Sequence, residues 1–357
     1  MTVPPPTSAR HFASDNYAGA HPDVLAAVAA ANVGHAPAYG DDPWTAHLQD
    51  VTAAHFGPTA SAFPVLNGTG ANVVALQAAS PRWGAVVCTE QAHVHNDENA
   101  APERVGGLKL LAVPTTDGRL TPADLDRFAW TIGDVHRAQP CVVSLTQSTE
   151  LGTVYTPEQV RAVADRAHAL GMAVHVDGAR LSNAAARLDA TLAELTTDVG
   201  VDVVSLGGTK NGMLLGEAVV VLDPDRVPGV DLLRKQSMQL ASKARFVSAQ
   251  LIALYEGDLW LRCARHANAM ADRLRAGVDA AGLVTTLPTQ SNAVFVQMPA
   301  PVAADLRATW RFYDWDRATS TVRLMCAFDT TPDDVDAFCT ALTSSVRTHG
   351  AVVPAAG

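Results

Sequence analysis

Short apolar segments alternate with amphipathic segments over most of this chain, and this alternation constrains the fold more than any other feature. The apolar segments are hydrophobic at nearly every position. They occupy residues 62–66, 85–88, 108–113, 141–145, 172–176, 201–206 and 218–222. Strands of this kind are buried on both faces. Joined by helical crossovers, they predict an α/β fold with a mostly parallel sheet sandwiched by helices.

The segments between these strands have helical periodicity. Pro22 stands near the start of the first, and Gly57 closes the second at a position typical of a helix end. The predicted helices cover residues 21–32, 42–57, 71–79, 121–132 and 156–171. They supply the long crossover connections that parallel strands require.

The pattern changes after about residue 230. Two long helices are predicted over 234–257 and 259–282, with a break near Gly257. The elements predicted beyond them are strands at 292–298, 311–315 and 321–328 and a helix at 331–346. We therefore expect an N-terminal arm (1–20), a large domain (21–255) and a smaller C-terminal α+β domain (256–357).

Charge and composition exclude several classes of partner. The 26 basic and 36 acidic residues give a net charge of −10, and neither sign is clustered, so we expect no nucleic-acid partner. The longest apolar run, residues 24–31, is too short to cross a membrane. Five cysteines, an odd number with no pair two residues apart, favour reduced thiols. No secretory signal is visible, and we expect a cytoplasmic protein.

Lys210 is one of only four lysines, and it follows a predicted strand within Gly207–Gly208–Thr209–Lys210–Asn211–Gly212. Ligands bind at the carboxyl ends of strands in such sheets. A lysine between glycines at this position can approach a ligand closely and act as a nucleophile. A solvated loop lysine is the alternative.

Asp177 ends the strand at 172–176, and Arg180 follows three residues later. A carboxylate there needs a partner, and a protonated pyridine nitrogen is one such partner. The planar guanidinium of Arg180 suits a substrate carboxylate. A structural Asp–Arg ion pair is an equally good reading of these residues alone.

A glycine-rich turn, Asn67–Gly68–Thr69–Gly70–Ala71–Asn72, opens the helix after the first strand. Backbone N–H groups, a hydroxyl and a helix N-terminus together favour phosphate binding. The glycine spacing matches neither the dinucleotide fingerprint nor the P-loop. An ordinary strand-to-helix turn remains an alternative for this segment alone.

The order of these motifs, and the 33 residues from Asp177 to Lys210, resemble the fold-type I pyridoxal-phosphate (PLP) enzymes. More narrowly, the chain resembles the low-specificity threonine aldolases of the β-eliminating lyase superfamily, from about Phe12 to about Phe338. The segments that carry this resemblance are FASDNYAGAHP (12–22), AYGDDP (38–43), NGTGAN (67–72), EQAHVHNDE (90–98), TQSTELGTVY (146–155), HVDGARL (175–181), SLGGTKNG (205–212), QLASKARF (239–246) and VRLMCAF (322–328).

The resemblance implies a fold-type I fold, PLP as the cofactor and cleavage of β-hydroxy-α-amino acids to glycine and an aldehyde. It implies that Lys210 binds the cofactor covalently and that Asp177 pairs with its pyridine nitrogen. Gly68 and Thr69 would hold the phosphate. His93 would lie on the ring and act as a base.

The resemblance also implies roles for residues outside these motifs. Arg245 resembles a basic residue that binds the cofactor phosphate across a subunit interface. Ser14, Arg180 and Arg323 would hold the substrate carboxylate, with Arg180 also close to the cofactor. Tyr39 would line the pocket of its own or a neighbouring subunit. A homo-oligomer, either a dimer or a dimer of dimers, is expected.

Two features of the sequence leave questions open. His93 and His95, with Asp97 and Glu98 nearby, raise the possibility of a metal site, but alternate residues of a helix do not share a face, so we favour ring stacking and expect no metal. Many threonine aldolases also have a second histidine after the strand at 141–145. Here Thr149 or Glu150 stands near that place.

Other functions also fit these motifs. A β-eliminating lyase or an aminotransferase of the same fold would use the same residues. A protein that binds the cofactor without turnover, such as a regulator, is a further alternative. The products formed from an amino acid distinguish all of these.

Overall fold

A computed structural model describes residues 10–350 of the 357-residue chain. These residues form two compact units, one of residues 19–262 and one of residues 10–18 with 263–350. Residues 1–9 of the predicted N-terminal arm lie outside the described residues. No helix in the described range has the length and apolar character needed to cross a lipid bilayer.

The first unit contains a seven-stranded sheet within the described residues. In chain order its strands β1 to β7 are Ser61–Val65, Gly84–Thr89, Lys109–Val113, Gln139–Thr146, Ala173–Gly178, Val203–Leu206 and Glu217–Val221. They are arranged β1-β7-β6-β5-β4-β2-β3. Strand β7 is antiparallel to β1 and β6, and the remaining pairs are parallel. Each predicted strand is present with its ends within two residues, which confirms the mostly parallel sheet.

Helices surround this sheet. In the described residues of both units, the helices α1 to α13 are, in chain order, Pro22–Ala31, Pro43–Phe56, Gly68–Ala78, His93–Asn96, Ala101–Arg104, Pro122–Ala129, Pro157–Ala169, Leu181–Leu188, Val230–Gln236, Arg245–Tyr255, Leu259–Ala280, Ala300–Leu306 and Pro332–His349. Every residue of β2, β5, β6 and β7 is buried, as expected for strands covered on both faces.

Helix α3 is central to the packing of the first unit. Its Val74 and Ala75 belong to an apolar cluster with β6 and β7, and its Leu76 belongs to a second cluster with β2 and β4. The helix begins at Gly68 rather than at residue 71 as predicted. The glycine-rich turn therefore forms the first turn of this helix.

The prediction of one helix over 234–257 is wrong. Helix α9 ends at Gln236, and α10 begins only at Arg245. Between them, Met238 has a positive φ of 61°, and the side chain of Gln239 accepts a hydrogen bond of 3.0 Å from the backbone N–H of Leu66. A contact distant in sequence thus interrupts the helix, which local periodicity does not reveal. The predicted break near Gly257 is present.

The second unit is the smaller α+β part. Its described residues contain a three-stranded antiparallel sheet in the order β8-β10-β9, with β8 at Ala293–Gln297, β9 at Tyr313–Asp316 and β10 at Thr321–Met325. Residues 10–18 belong to this unit because Phe12 packs against Phe338 with ring centroids 4.9 Å apart. The backbone of Phe12 also bonds to that of Met325.

Candidate active site

A pocket of about 420 Å³ lies at the carboxyl ends of the parallel strands of the first unit. It is lined by Gly68, Thr69, Asn72, His93, Glu98, Thr146, Ser148, Glu150, Asp177, Ala179, Arg180 and Lys210. Six of the predicted site residues are among them. The structure therefore brings together Gly68, Thr69, His93, Asp177, Arg180 and Lys210, which the sequence places on four separate segments.

The turn that begins α3 forms one side of the pocket. The side chain of Asn67 caps the helix by accepting a 2.7 Å hydrogen bond from the N–H of Gly70. Gly68 and Thr69 lie in the first turn, where N–H groups have no partner within the helix. A Cβ at Gly70 would lie 2.1 Å from Cδ of Gln239, so a larger residue there would displace the Gln239 side chain. This 11-residue helix thus presents donors and the positive end of its dipole to the pocket.

Asp177 is held at the floor of the pocket in a buried position. Its Oδ2 accepts a 2.9 Å hydrogen bond from the amide of Asn72, and its Oδ1 accepts one of 3.0 Å from the N–H of Ala179. Burial alone would raise the pKa of Asp177. The charges of Lys210 and His93 and these hydrogen bonds outweigh burial and hold the pKa below its usual value. Asp177 is therefore a buried carboxylate that stays ionised.

Lys210 lies in a short 3₁₀ turn that follows β6. The backbone around it is anchored by side chains from other elements. Glu217 on β7 accepts a hydrogen bond from the N–H of Gly208, and Tyr255 donates one to the carbonyl of Gly207. A Cβ at Gly207 would lie 2.5 Å from the carbonyl oxygen of Ala179, so only glycine fits. Lys210 thus lies in a loop that hydrogen bonds anchor to β7 and α10.

His93 begins the short helix α4 and is held at two points. Its Nδ1 lies 2.9 Å from Oε1 of Glu98, and its backbone N–H donates a 2.7 Å hydrogen bond to Oε1 of Glu150. The hydrogen bond with Glu98 raises the pKa of His93 above its usual value, against the opposing effects of burial and Lys210. The ring side chain is 38% exposed, so it is accessible from the pocket.

Glu150 is half-buried beside His93, and its Oε2 atom is buried. The hydroxyl of Thr146 donates a 2.9 Å hydrogen bond to its Oε1, whereas its Oε2 has no partner among the described residues. Burial and the nearby charge of Asp177 raise the pKa of Glu150 to about 7. Of the two residues considered for the place of the second histidine, Glu150 lines the pocket.

Asn72 and Glu98 are among the lining residues that the sequence did not assign to the reaction or to the cofactor. Asn72 and Glu98 line the pocket and bond to each other at 2.8 Å. Asn72 lies one helical turn after Gly68, and Glu98 lies five residues after His93. Both positions are visible in the sequence, but their contact depends on the packing of α3 beside the strand ends.

The four side chains considered for a metal site, those of His93, His95, Asp97 and Glu98, do not all lie together. His95 and Asp97 are exposed, whereas His93, Glu98 and Asp177 come together with ligand atoms within 4.8 Å of one another. The amide nitrogen of Asn72 donates to both Glu98 and Asp177. These two carboxylates are thus already bridged by a neutral donor.

Arg245 and Tyr39 lie apart from this pocket. Arg245 lines a more open cleft of about 920 Å³ together with Gly34, His35, Ala36, Pro37, Ala38, Ser242 and Lys243. Tyr39 borders the same segment, because its N–H bonds to the carbonyl of Ser242 at 2.9 Å. Within a single chain the structure therefore does not bring Arg245 to the turn of Gly68 and Thr69.

Ser14 and Arg323 belong to the second unit. Arg323 on β10 donates a 3.3 Å hydrogen bond to the carbonyl of Ala13, the residue next to Ser14. The guanidinium also lies 5.3 Å from the centroid of the Trp315 ring. The two predicted carboxylate-binding residues are thus close to each other within this unit.

Comparison with known proteins adds a fold and a family to this geometry. A threonine aldolase structure from Leishmania major matches with a TM-score of 0.89 and 28% identity, covering 94% of this chain and 99% of that one. Two low-specificity L-threonine aldolases, from Pseudomonas aeruginosa and another Pseudomonas strain, are each 44% identical over 324 residues, covering 90% of this chain and 93% of theirs. The model of the beta-eliminating lyase family matches residues 11–301.

These findings show that the chain has the fold of the fold-type I PLP enzymes, with a smaller second sheet. The chain belongs to the beta-eliminating lyase family. The predicted resemblance to low-specificity threonine aldolases is confirmed, as is the predicted enzyme class, a PLP-dependent lyase.

Proposed function

We propose that this protein cleaves β-hydroxy-α-amino acids, with L-threonine among them, to glycine and an aldehyde in a PLP-dependent reaction. The observation that carries the proposal is the meeting of Lys210, Asp177 and His93 in one pocket beside the N-terminus of α3. The names of the Pseudomonas and Leishmania relatives support the choice of reaction.

The residues of the pocket fit PLP in charge and in kind. The first turn of α3, with Gly68 and Thr69, suits a phosphate, and the ionised carboxylate of Asp177 suits a protonated pyridine nitrogen. His93 would cover the ring, and the amine of Lys210 would bind the cofactor covalently. When bound, PLP supplies an electron sink for the bonds of the substrate Cα.

The remaining steps belong to the side chains. Arg180, which lines the pocket, would bind the substrate carboxylate and thereby select which bond at Cα is broken. His93, directly or through water, would accept the proton of the β-hydroxyl. Cleavage of the Cα–Cβ bond then releases the aldehyde, and a proton returned to Cα gives glycine.

The competing reactions differ in the bond that breaks. A β-elimination removes the proton from Cα, a task for Lys210, and expels a leaving group from Cβ to give pyruvate and ammonia. A transamination also removes that proton and gives an oxo acid. A regulator would release no product.

The decisive experiment is incubation of the purified PLP-loaded protein with a panel of L- and D-β-hydroxy-α-amino acids. We expect glycine and the matching aldehyde in equal amounts, from L-threonine or L-allo-threonine among others. Pyruvate with ammonia, an oxo acid, or the absence of any product would overturn the proposal. Serine and alanine serve as matched substrates for elimination and transamination.

The proposed assembly is a homo-oligomer, a dimer or a dimer of dimers, in the cytoplasm. Arg245 and Tyr39 support it, because they border a cleft separate from the pocket of their own chain. A neighbouring subunit would receive these residues. Light scattering after size-exclusion chromatography measures the mass, and a fully active monomer would contradict this assembly.

A further inference from the structure

We propose that Glu98, supported by Asn72, is a positioning residue that fixes the tautomer of His93 and leaves its Nε2 as the proton acceptor of the pocket. The inference rests on the proposed function, because it concerns the residue that would take the substrate's hydroxyl proton. It adds two residues to the machinery and states which nitrogen of His93 acts.

The carboxylate of Glu98 is placed for this role by burial and by contact. Its side chain is fully buried, and its Oε1 lies 2.9 Å from Nδ1 of His93. The same Oε1 accepts a hydrogen bond of 2.8 Å from the amide nitrogen of Asn72. The other oxygen, Oε2, has no hydrogen-bond partner among the described residues.

Asn72 determines the direction of these hydrogen bonds. An amide nitrogen only donates, and it has two hydrogens. In Asn72 one points to Oε1 of Glu98 and the other to Oδ2 of Asp177, at 2.8 and 2.9 Å. Both carboxylates are therefore acceptors on the side that faces Asn72.

It follows that Nδ1 of His93 is the donor toward Glu98. Burial raises the pKa of Glu98, and its hydrogen bonds with His93 and Asn72 oppose that shift. Oε1 of Glu98 accepts from Asn72 with one lone pair, and its second lone pair accepts the hydrogen on Nδ1 of His93. A neutral histidine with its hydrogen on Nδ1 has a free lone pair on Nε2. A carboxylate that fixes a histidine in this way also stabilises the imidazolium formed after proton transfer.

The groups around His93 shift its pKa in both directions. The hydrogen bond to Glu98 and the charge of Asp177 raise the pKa of His93, while burial and the charge of Lys210 lower it. Glu150 contacts only the backbone N–H of His93. Replacing Glu98 by glutamine removes the negative charge behind the largest influence that raises this pKa, and it lets either an amide oxygen or an amide N–H₂ group face Nδ1.

The first test is nitrogen NMR of the full-length protein labelled with ¹⁵N-histidine, recorded with PLP bound and after its removal. The His93 signals are assigned from their loss in His93→Asn. In the unsubstituted protein we expect neutral His93 to carry its hydrogen on Nδ1. In Glu98→Gln we expect a mixture of tautomers and a lower pKa.

The matched control is Glu103→Gln, because Glu103 is an exposed glutamate on the next short helix. It should leave the His93 signals unchanged. A hydrogen on Nε2 in the unsubstituted protein, or unchanged His93 signals in Glu98→Gln, would overturn the proposal. If the tautomer is as expected but no glycine is released, the proposed function fails and this assignment stands.

The second test is kinetic and separates positioning from general support of the fold. In Glu98→Gln, kcat should fall by about ten- to hundredfold, and the acid limb of kcat/KM should move to lower pH. In a His93→Asn background, Glu98→Gln should have little further effect, because the residue acts through His93. Equal and independent losses in both backgrounds would show a merely structural role.

Discussion

The pocket around Lys210 and the cleft around Arg245 differ in how their charges are partnered. In the pocket, Asn72 donates hydrogen bonds to both Asp177 and Glu98, and Glu98 also bonds to His93. The described residues that line the cleft include His35, Lys243 and Arg245 and no acid. The buried Nε of Arg245 has no hydrogen-bond partner in the described part of the chain.

This difference in charge partners indicates that the pocket and the cleft have different binding roles. In the pocket, the hydrogen-bond partners of Asp177, Glu98 and His93 come from the same chain. The cleft presents positive charge without a counter-charge, which is typical of a surface that binds an anion or a neighbouring subunit. The predictions below test each half of this contrast.

The largest effect is expected from Lys210→Ala. Loss of the amine proposed to bind the cofactor should reduce glycine release by more than about a thousandfold. The absorbance band of the protein-bound cofactor should change as well. Lys109→Ala is the matched control, because Lys109 is exposed on β3 and should behave like the unsubstituted protein. Undiminished glycine release by Lys210→Ala would show that this pocket is not the active site.

The next effect is expected from His93→Asn, with His95→Asn as its control on the same short helix. His95 is exposed, whereas His93 lines the pocket. Loss of a general base should lower kcat for threonine cleavage by about a hundredfold or more. His95→Asn should leave kcat within about twofold. Similar kcat values in the two variants would show that the helix, and not its pocket-facing histidine, matters.

A smaller effect is expected from Arg245→Ala, which tests the cleft. Loss of a charged hydrogen bond to phosphate should weaken PLP binding by about ten- to hundredfold. The measurement is a titration of the cofactor-free protein with PLP, followed by absorbance. Unchanged affinity would mean that the cleft is not part of a cofactor site.

A hybrid of an inactive Lys210→Ala chain and a weakly PLP-binding Arg245→Ala chain shows which subunit receives Arg245. Lys210→Ala and Arg245→Ala chains with different tags are co-expressed, and the mixed dimer is purified. If Arg245 serves the neighbour, one site of the hybrid is native, and about half the activity returns at limiting PLP. A hybrid no better than its Arg245→Ala parent would place the action of Arg245 within its own chain.

The smallest effect on activity is expected from Glu217→Gln, which alters stability. Burial raises the pKa of Glu217 from 4.5 to about 7. Because the folded pKa exceeds the unfolded one, this carboxyl stabilises the fold at low pH, and that stability is lost as the pH rises toward 7. Glutamine keeps the acceptor for Gly208 and removes the ionisation.

The measurement is the urea midpoint at pH 5 and pH 8 at unchanged slope. The unsubstituted protein should lose on the order of 3 kcal/mol more unfolding free energy over this range than Glu217→Gln. Glu150, with the same raised pKa of about 7, remains in both proteins and does not affect their difference. An identical pH dependence of the unfolding free energy in the two proteins would show that the pKa of Glu217 is the same in the folded and unfolded states.

Several residues show how far local sequence carries. The shared location of Gly68, Asp177 and Lys210 was predicted because each follows an apolar strand. The carboxyl ends of parallel strands meet at one edge of the sheet. The interruption at Met238 and Gln239 was missed because a hydrogen bond to Leu66 causes it. The pairing of Asn72 with Glu98 was missed for the same kind of reason, since 26 residues separate them.

Local sequence was enough for the succession of strands and of most helices and for the motifs at the strand ends, because these depend on periodicity and on neighbouring residues. The class of chemistry followed from the family resemblance that those motifs carry. Only the tertiary structure decided the partners of the charged groups. It brought His93 and Asn72 into hydrogen bonds with Glu98, and it placed Glu217 against the N–H of Gly208 in the loop of Lys210. It also placed Arg245 in a cleft apart from the pocket. The energy of a buried charge depends on which atoms surround it, and chain folding brings those atoms from distant positions.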